Sequence, residues 1–415
     1  MRVLAAIVAP PHLALGGAAR AAEQLSLALA AHCDVTVASM MAPQLAAKSG
    51  LRRVAVRTRL PPGIPWRRIA NRYRTPFYRS DIPRLVASGD YDLVHLHNPM
   101  PALAMAAIAR ACRRTGVPYL VSTHGFNEIA NGERVYRFDL ARRAAWRLLV
   151  SRPLERVVRG AASVLGLSPA DRDIVRAMGF SGSFALAPNG VPRPAPADPT
   201  RDAAIYAAYG IPAPQPGTVT GMFLANHTPN KGLPVLLEAF AGLDRPFTLI
   251  VGGETRPEID YALAGRLRRP DQRIIVTGRL ADGDLGALYR RADFFVFPTL
   301  ADTFPLVVLE AMAHGLPVIA SNVGGIPYQI DDGCGRLVEA GDVASLRDAI
   351  EAMASDPEAR RAMGARAKAR AASVFTWEHA AKLAFAEYER VLARYTSNAH
   401  ERHGSDRSDE PAPAL

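Results

Sequence analysis

The amino-acid sequence predicts an α/β protein of two doubly wound parallel-sheet domains facing a cleft. Three observations lead there. Short apolar runs alternate with helical stretches through both halves, the pattern of parallel strands covered by helices. A proline-dense break at 191–216, holding Pro192, Pro194, Pro196, Pro199, Pro212, Pro214 and Pro216, separates the two series. Glycine-opened loops follow strands in each half, at the carboxyl ends where open sheets of this kind receive ligands.

In chain order, the first half offers strands at 2–8, 35–39, 92–95, 119–122, 163–166 and 184–187. Each is rich in apolar residues, bounded by turn formers and too short for a stable helix. The second half offers strands at 219–224, 247–252, 274–277, 294–297 and 317–320, with helical periodicity at 233–240, 306–313, 343–353, 357–372 and 377–394. From Ser397 the chain reads SNAHERHGSDRSDEPAPAL, polar enough to predict a disordered tail. The expected division is a first domain 1–190, a linker 191–216, a second domain 217–376, a closing helix 377–396 and a tail 397–415.

The length of 415 residues allows two or three domains with substantial cores, and 49% hydrophobic with 21% charged residues describes a soluble globular chain. No uncharged apolar run reaches the length of a spanning helix, and no leader precedes the first strand, so a cytoplasmic protein is expected. Cys33, Cys112 and Cys334 lack metal-ligand spacing and read as reduced structural thiols. Net charge is +11, unevenly spread: residues 1–190 carry 26 Lys and Arg against 11 Asp and Glu. The excess is densest at Arg52–Arg84, where ten arginines and the single acid Asp81 interleave with Trp66, Tyr73, Phe77 and Tyr78. Such a patch suits a nucleic acid, an anionic membrane surface or an acidic glycan. Aromatic residues among the arginines favour the membrane interface, which for a cytoplasmic protein is the inner face of the cell membrane, and no nucleic-acid motif is present. A plain solvated face is the simpler alternative.

Residues 302–320, DTFPLVVLEAMAHGLPVIA, carry the most functional information. Two carboxylates, Asp302 and Glu310, flank the start of an apolar helix, 306–313, which Gly315 ends before a buried strand. Thr303 is placed to cap that helix, and Pro305 lies where its first turn tolerates a missing N–H. Free N–H groups of the first turn would face an anion, so the arrangement suits a phosphorylated polyol, with amides for phosphate and carboxylates for hydroxyls. An amphipathic helix with two solvated acids explains the same pattern.

Three other places point to the same chemistry. Gly16 and Gly17 open a helix after the first strand and let backbone N–H groups approach an anion, although a tight turn needs no ligand. Lys231 stands out in a chain of four lysines and 46 arginines, a compact point charge suited to phosphate. His124 ends the strand 119–122 and can donate to a sugar hydroxyl or a phosphate, with a packed core histidine as the alternative. His12, in the first loop, is a weaker candidate.

Taken together, these stretches resemble the retaining glycosyltransferases of family 4. The family's donor motif is an acid, seven residues and a glutamate, then Ala-Met-Ala-x-Gly-x-Pro-Val. Residues 310–318 match it, while Asp302 stands for the usual Glu and Pro305 for the usual Gly after Phe304. Gly16-Gly17, Thr123-His124-Gly125, Asn189-Gly190-Val191, Lys231-Gly232 and Thr277-Gly278-Arg279-Leu280 resemble the remaining motifs, in order. Asn226 occupies the place of an arginine, so one cation is missing, to be replaced by helix termini, His227 or an arginine of the first domain.

The resemblance implies the GT-B architecture: two facing Rossmann-like domains, the nucleotide-sugar held mainly by the second, and the helix from Trp377 crossing back to the first. It implies a catalytic set of His124, Lys231, Asp302 and Glu310. Glu310 would bond the ribose, Asp302 and His124 the transferred sugar, and Gly278 and Arg279 would border the base. Gly16, Gly17, Lys231 and the amides of Leu306 and Val307 would hold the diphosphate, with Asn226 and Phe304 in the same donor set. No cofactor or metal is expected beyond the nucleotide-diphosphate sugar, and the acceptor would be a lipid-linked or polysaccharide glycan of the cell surface. The rival readings are a nucleotide-sugar epimerase of the same fold and a non-catalytic membrane- or glycan-binding homologue, the latter suggested by Asn226, Asp302 and Pro305.

Overall fold

The computed structural model describes residues 1–10, 16–40, 51–54, 56–97, 100–135, 138–262, 270–331 and 333–405. Its strands, in chain order, are β1 (Arg2–Ile7), β2 (Asp34–Ser39), β3 (Arg52–Val54), β4 (Thr58–Arg59), β5 (Arg79–Ser80), β6 (Leu93–His97), β7 (Tyr119–Ser122), β8 (Ser163–Gly166) and β9 (Ser183–Leu186), then β10 (Val219–Leu224), β11 (Phe247–Gly252), β12 (Gln272–Gly278), β13 (Phe294–Phe297), β14 (Val318–Ser321) and β15 (Gly335–Val338). The first sheet has the order β3-β2-β1-β6-β7-β8-β9 and the second β12-β11-β10-β13-β14-β15, and every pair within them is parallel. Continuous apolar runs such as FTLIVG in β11 are buried from end to end, as strands covered on both faces must be. Strand order reverses between β1 and β6 in one sheet and between β10 and β13 in the other. At those switch points the loops leaving the carboxyl ends diverge and open a crevice.

The closing helix runs from Trp377 to Ser405. Its Trp377, Ala380, Ala381, Ala384, Tyr388 and Val391 belong to one cluster with Val3, Leu25, Leu29, Leu120 and Leu165 of the first sheet and its Gly17–Leu29 helix. Where the chain crosses between the sheets it is tightly packed: the Val191 N–H donates to the Phe375 carbonyl (2.9 Å), and a Cβ on Gly190 would come within 2.2 Å of the Trp377 nitrogen.

Two features differ from the expected organisation. The proline-dense 191–216 contains a helix, Pro199–Ala208, started by the Asp198 carboxylate accepting from the Arg201 N–H. Proline preset the first turn of a helix here rather than marking a bare linker. Asp202 pairs with Arg290 (2.7 Å) and the Tyr206 hydroxyl donates to the Ala287 carbonyl (2.9 Å), fastening the helix to the second domain. The closing helix also extends through Ser405, into the expected tail, because adding residues to an existing helix is cheap once it is nucleated. Residues 406–415 of that tail lie outside the described set.

Candidate functional site

The loop leaving β10 places Lys231. Residues Pro229–Lys231 form one 3-10 turn, and Gly232 follows at φ +72°, a left-handed conformation that glycine adopts without strain. There the backbone nearly touches the loop after β13, since a Cβ on Gly232 would lie 1.8 Å from the Pro298 carbonyl oxygen. The Asn230 carbonyl accepts from Leu300 N–H (2.7 Å) and from the Thr299 hydroxyl (2.9 Å), locking the two loops together.

Across this seam the Lys231 ammonium donates to Asp302 Oδ2 at 2.6 Å, and the Thr299 hydroxyl, whose proton goes to the nearer Asn230 carbonyl, lies 3.2 Å from the same oxygen. Asp302 is largely buried, and its Oδ1 has no hydrogen-bond partner among the described residues. The helix Leu306–Ala313 begins just beyond, with Pro305 at its N-cap and no side chain capping it. Thr303 therefore does not cap the helix. Its hydroxyl donates instead to Glu128 Oε2 (2.6 Å) and accepts from the Asn127 N–H (3.0 Å), both in the first turn of the Phe126–Val135 helix of the other domain. The Asn127 amide also donates to the Asp302 carbonyl (2.8 Å).

The Gly17–Leu29 helix points its N-terminus at the same place: a Cβ on Gly17 would lie 4.0 Å from Leu306 Cδ1, so two helix N-termini from opposite domains meet. Gly16 and Gly17 are exposed there. Two positive helix ends meet there, and the Lys231 ammonium is balanced by Asp302. One turn further, Arg20 bridges to Asp282 (2.8 Å) across the interface. Arg20 also favours the ionised form of Glu310. Glu310 Oε2 accepts from the Tyr289 hydroxyl at 2.9 Å, and burial raises its proton affinity against those two partners.

His124 follows β7, nearly buried, with Nε2 unpartnered. It belongs to a histidine trio that the sequence reading did not foresee. His95 and His97 alternate along β6, their rings 3.8 Å apart, and His97 lies 5.9 Å from His124. His95 is held by the Tyr388 hydroxyl (2.6 Å) and the Ser122 hydroxyl (2.7 Å), whereas both nitrogens of His97 lack partners. Burial pushes His95 down to about 3, His124 to about 4 and His97 well below its ordinary 6.5, so all three are neutral imidazoles near neutral pH.

Glu128 is the other residue the sequence reading missed. Burial, then the neighbouring Asp302 charge, raise its carboxyl to about 7, while Lys231 and the Thr303 hydroxyl act in the opposite sense.

The remaining sequence-predicted residues divide. Gly278 (φ +70°, open space around it) and exposed Arg279 end β12 at the mouth of the second domain, and exposed Asn226 begins the Lys231 loop. The Leu306 and Val307 amides lead the helix at the seam. Phe304 does not face the crevice; it is buried against Tyr328 and Phe375. His227 is not free to bind an anion, because its nitrogens meet the Tyr261 hydroxyl (2.7 Å) and the Gly252 carbonyl (3.3 Å) and burial lowers its pKa. His12 lies outside the described residues.

In the Arg52–Arg84 segment, Trp66 packs on Phe77 and donates to the Pro61 carbonyl (2.6 Å), so these aromatics are partly structural. Ile64 and Tyr73 stay exposed nearby. Among the described residues no helix is long and apolar enough to cross a membrane, and no cluster of three or more His, Cys, Asp or Glu could hold a metal ion.

Two family models match the chain in succession: Glycosyltransferase Family 4 over residues 15–193 and Glycosyl transferases group 1 over residues 218–356. The D-inositol 3-phosphate glycosyltransferase of Mycolicibacterium smegmatis is 33% identical over 216 residues, covering 50% of this chain and 48% of that protein. Its namesake from Mycobacterium bovis is 31% identical over 215 residues, covering 50% and 44%. The chain thus spans about half the length of the curated relatives it matches. Among solved structures, sucrose-phosphate synthase from Thermosynechococcus elongatus superposes with a TM-score of 0.73 at 21% identity, covering 95% of this chain and all of that one. Anabaena HepE in complex with UDP-glucose gives 0.70 at 18% identity, covering 94% and 99%, a likeness of fold.

Proposed function

Starting from a chain that belongs to glycosyltransferase family 4 and has the GT-B fold, we propose a retaining, metal-independent glycosyltransferase. It moves a hexose-type sugar from a nucleoside-diphosphate donor to a lipid-linked or polysaccharide acceptor in cell-surface glycan synthesis. The observation that carries this reading is the Lys231–Asp302 pair, beside two helix N-termini contributed by opposite domains.

The donor diphosphate sits at those N-termini, where amides of Gly17, Leu306 and Val307 and the Lys231 ammonium neutralise it. An arriving diphosphate competes with Asp302 for Lys231, and the released carboxylate takes a hydroxyl of the transferred sugar. Glu310, oriented by Tyr289, bonds the ribose, and neutral His124 meets the sugar from the first domain. In the transfer, the bond from the anomeric carbon to the leaving phosphate oxygen breaks as the acceptor oxygen attacks on the same face. The leaving phosphate takes the acceptor's proton, so no protein nucleophile is required. The arginines of 52–84, with exposed Ile64 and Tyr73, hold the enzyme at an anionic membrane surface where such acceptors reside.

A thermal-shift panel of nucleotide-sugars tests the reading, since a ligand at 100 times its Kd adds about 2.7 kcal/mol of stability. Turnover of the stabilising donor should then fall roughly ten- to a hundred-fold in Lys231→Ala and in Glu310→Ala, the loss expected of one hydrogen bond to a charged group. Unchanged turnover in both variants would sink the site assignment.

A further inference from the structure

Glu128 and Asp302 face each other across the domain seam in matching ways. Asp302 commits Oδ2 to Lys231, and Glu128 commits Oε2 to the Thr303 hydroxyl, the very next residue after Asp302. Asp302 Oδ1 keeps no hydrogen-bond partner among the described residues, while the Glu128 carboxyl is held by the Thr303 hydroxyl and by its own backbone N–H and, as a half-buried residue, retains room for a further donor. The first turn that carries Glu128 is fixed: the Asn127 N–H and amide bond Thr303 and the Asp302 carbonyl, and the Asn131 amide donates to Asn127 Oδ1 (2.8 Å). Glu128 also lies close in the chain to His124, which sits in the turn just before the Phe126–Val135 helix.

Two carboxyl oxygens from opposite domains, with one lysine between two acids, repel each other when the gap is empty. Neighbouring hydroxyls that donate to both remove that repulsion, and a hexose ring supplies such a pair.

Resting on the donor reading above, we propose that Glu128 is a specificity-determining residue, a second carboxyl that reads hydroxyls of the transferred sugar alongside Asp302 when the domains meet. Two acceptor oxygens fixed on separate domains accept hydroxyls of one relative configuration, and inverting either hydroxyl leaves one carboxyl unsatisfied. Glu128 would thus separate donors that differ at a single carbon. The rise of the Glu128 carboxyl toward neutrality fits a group that can also donate, keeping one interaction available over a range of pH.

The test uses the full chain, wild type and Glu128→Gln, with nucleoside-diphosphate hexoses differing at one hydroxyl, read as kcat/KM for each donor and as Kd for the free nucleoside diphosphate. Expected in Glu128→Gln are a loss of roughly tenfold or more for the preferred donor, a smaller loss for its epimers, and an unchanged nucleoside-diphosphate Kd. An equal loss for every donor would mean that Glu128 only props up the seam, and unchanged selectivity would overturn the proposal outright. Should Glu128→Gln fail to fold, Glu128→Asp, which keeps the charge and withdraws it by one methylene, should shift selectivity in the same direction. Wild-type protein that binds no nucleoside diphosphate would overturn the donor reading and this inference together, whereas wild-type turnover with unaltered variant selectivity overturns this inference alone.

Discussion

Replacing Lys231 with methionine removes an ammonium and keeps most of the side-chain volume. The partner left behind is Asp302, whose side chain is 10% exposed against 22% for Lys231. At an effective dielectric constant of about 20, two unit charges about 4 Å apart attract by about 4 kcal/mol. Stranding one member of a buried pair costs about 3–5 kcal/mol. Water reaching the partly exposed ammonium trims that figure, so a loss of about 2–3 kcal/mol is expected. Adding Asp302→Asn should restore much of it, because an amide does not need a counter-charge, giving a coupling of about 2 kcal/mol in a double-mutant cycle. Urea denaturation of the four proteins, followed by circular dichroism, provides the measurement. A loss below about 0.5 kcal/mol for Lys231→Met, the level of an exposed ion pair, or strictly additive losses in the cycle, would refute the reasoning.

Three further outcomes follow from the geometry. Glu128 and Asp171, the latter a buried carboxylate that accepts from the Leu167 N–H (2.8 Å) and the Ser168 N–H (3.2 Å) after β8, are raised from 4.5 and 3.8 to about 7 and about 6. They favour the folded state when protonated and lose that contribution as pH rises through those windows; His95, His97 and His124, lowered from 6.5, favour it when neutral and lose it as pH falls below 6.5. Glu310 joins the raised carboxyls and His227 and His314 join the lowered imidazoles, so five groups outweigh three on the acid side; denaturation midpoints should peak near pH 6.5, and a maximum below about pH 5 would contradict the assignment. Gly232→Ala should cost about 3 kcal/mol or more, because its Cβ meets the Pro298 carbonyl; Gly116→Ala, at a similar φ of +73° in open space, should cost only about 1–2 kcal/mol, and equal losses would show that the loop seam is not tight. Tyr388→Phe leaves buried His95 Nδ1 without its partner, an expected loss of about 1–3 kcal/mol; a change too small to measure would mean that the Tyr388–His95 bond does not anchor the closing helix.

Much of the scaffold was legible because parallel strands buried on both faces are continuous apolar runs, and β7, β8, β10, β11 and β13 begin and end where the sequence places them. Two of the four edge strands, β3 and β15, were not legible. β3 reads RRV and β15 reads GRLV, and neither carries an apolar run, because one side of each is open to water. The donor loop declared itself through residues close in sequence, from Asp302 to Gly315. What stayed hidden was whatever depends on partners distant in the chain. Thr303 looked like a helix cap because serine and threonine cap locally, yet its hydroxyl reaches Glu128, 175 positions away. Glu128 itself reads as an ordinary acid in a first helical turn. The histidine trio had a usable signal: His95 and His97 alternate in a strand, so they share a face, and His124 ends the neighbouring strand. Phe304, inside the donor motif, turned out to hold the core together rather than face the crevice, a role that its position in the motif conceals.

The packing of the Trp377–Ser405 helix on the first sheet also bears on how the protein is made. Leu25, Leu29, Leu120 and Leu165 are shielded by side chains from 377–391, which leave the ribosome long after Leu165. The amino-terminal half therefore emerges with an apolar flank that nothing translated before the second domain can cover. Its completion waits until residues 377–391 have been made, directly after the last residues that the second core needs, Ala367, Ala371 and Phe375. A premature stop anywhere before residue 377 would leave that flank open for good, so truncated chains should be taken up by chaperones or aggregate rather than persist as a stable half-enzyme.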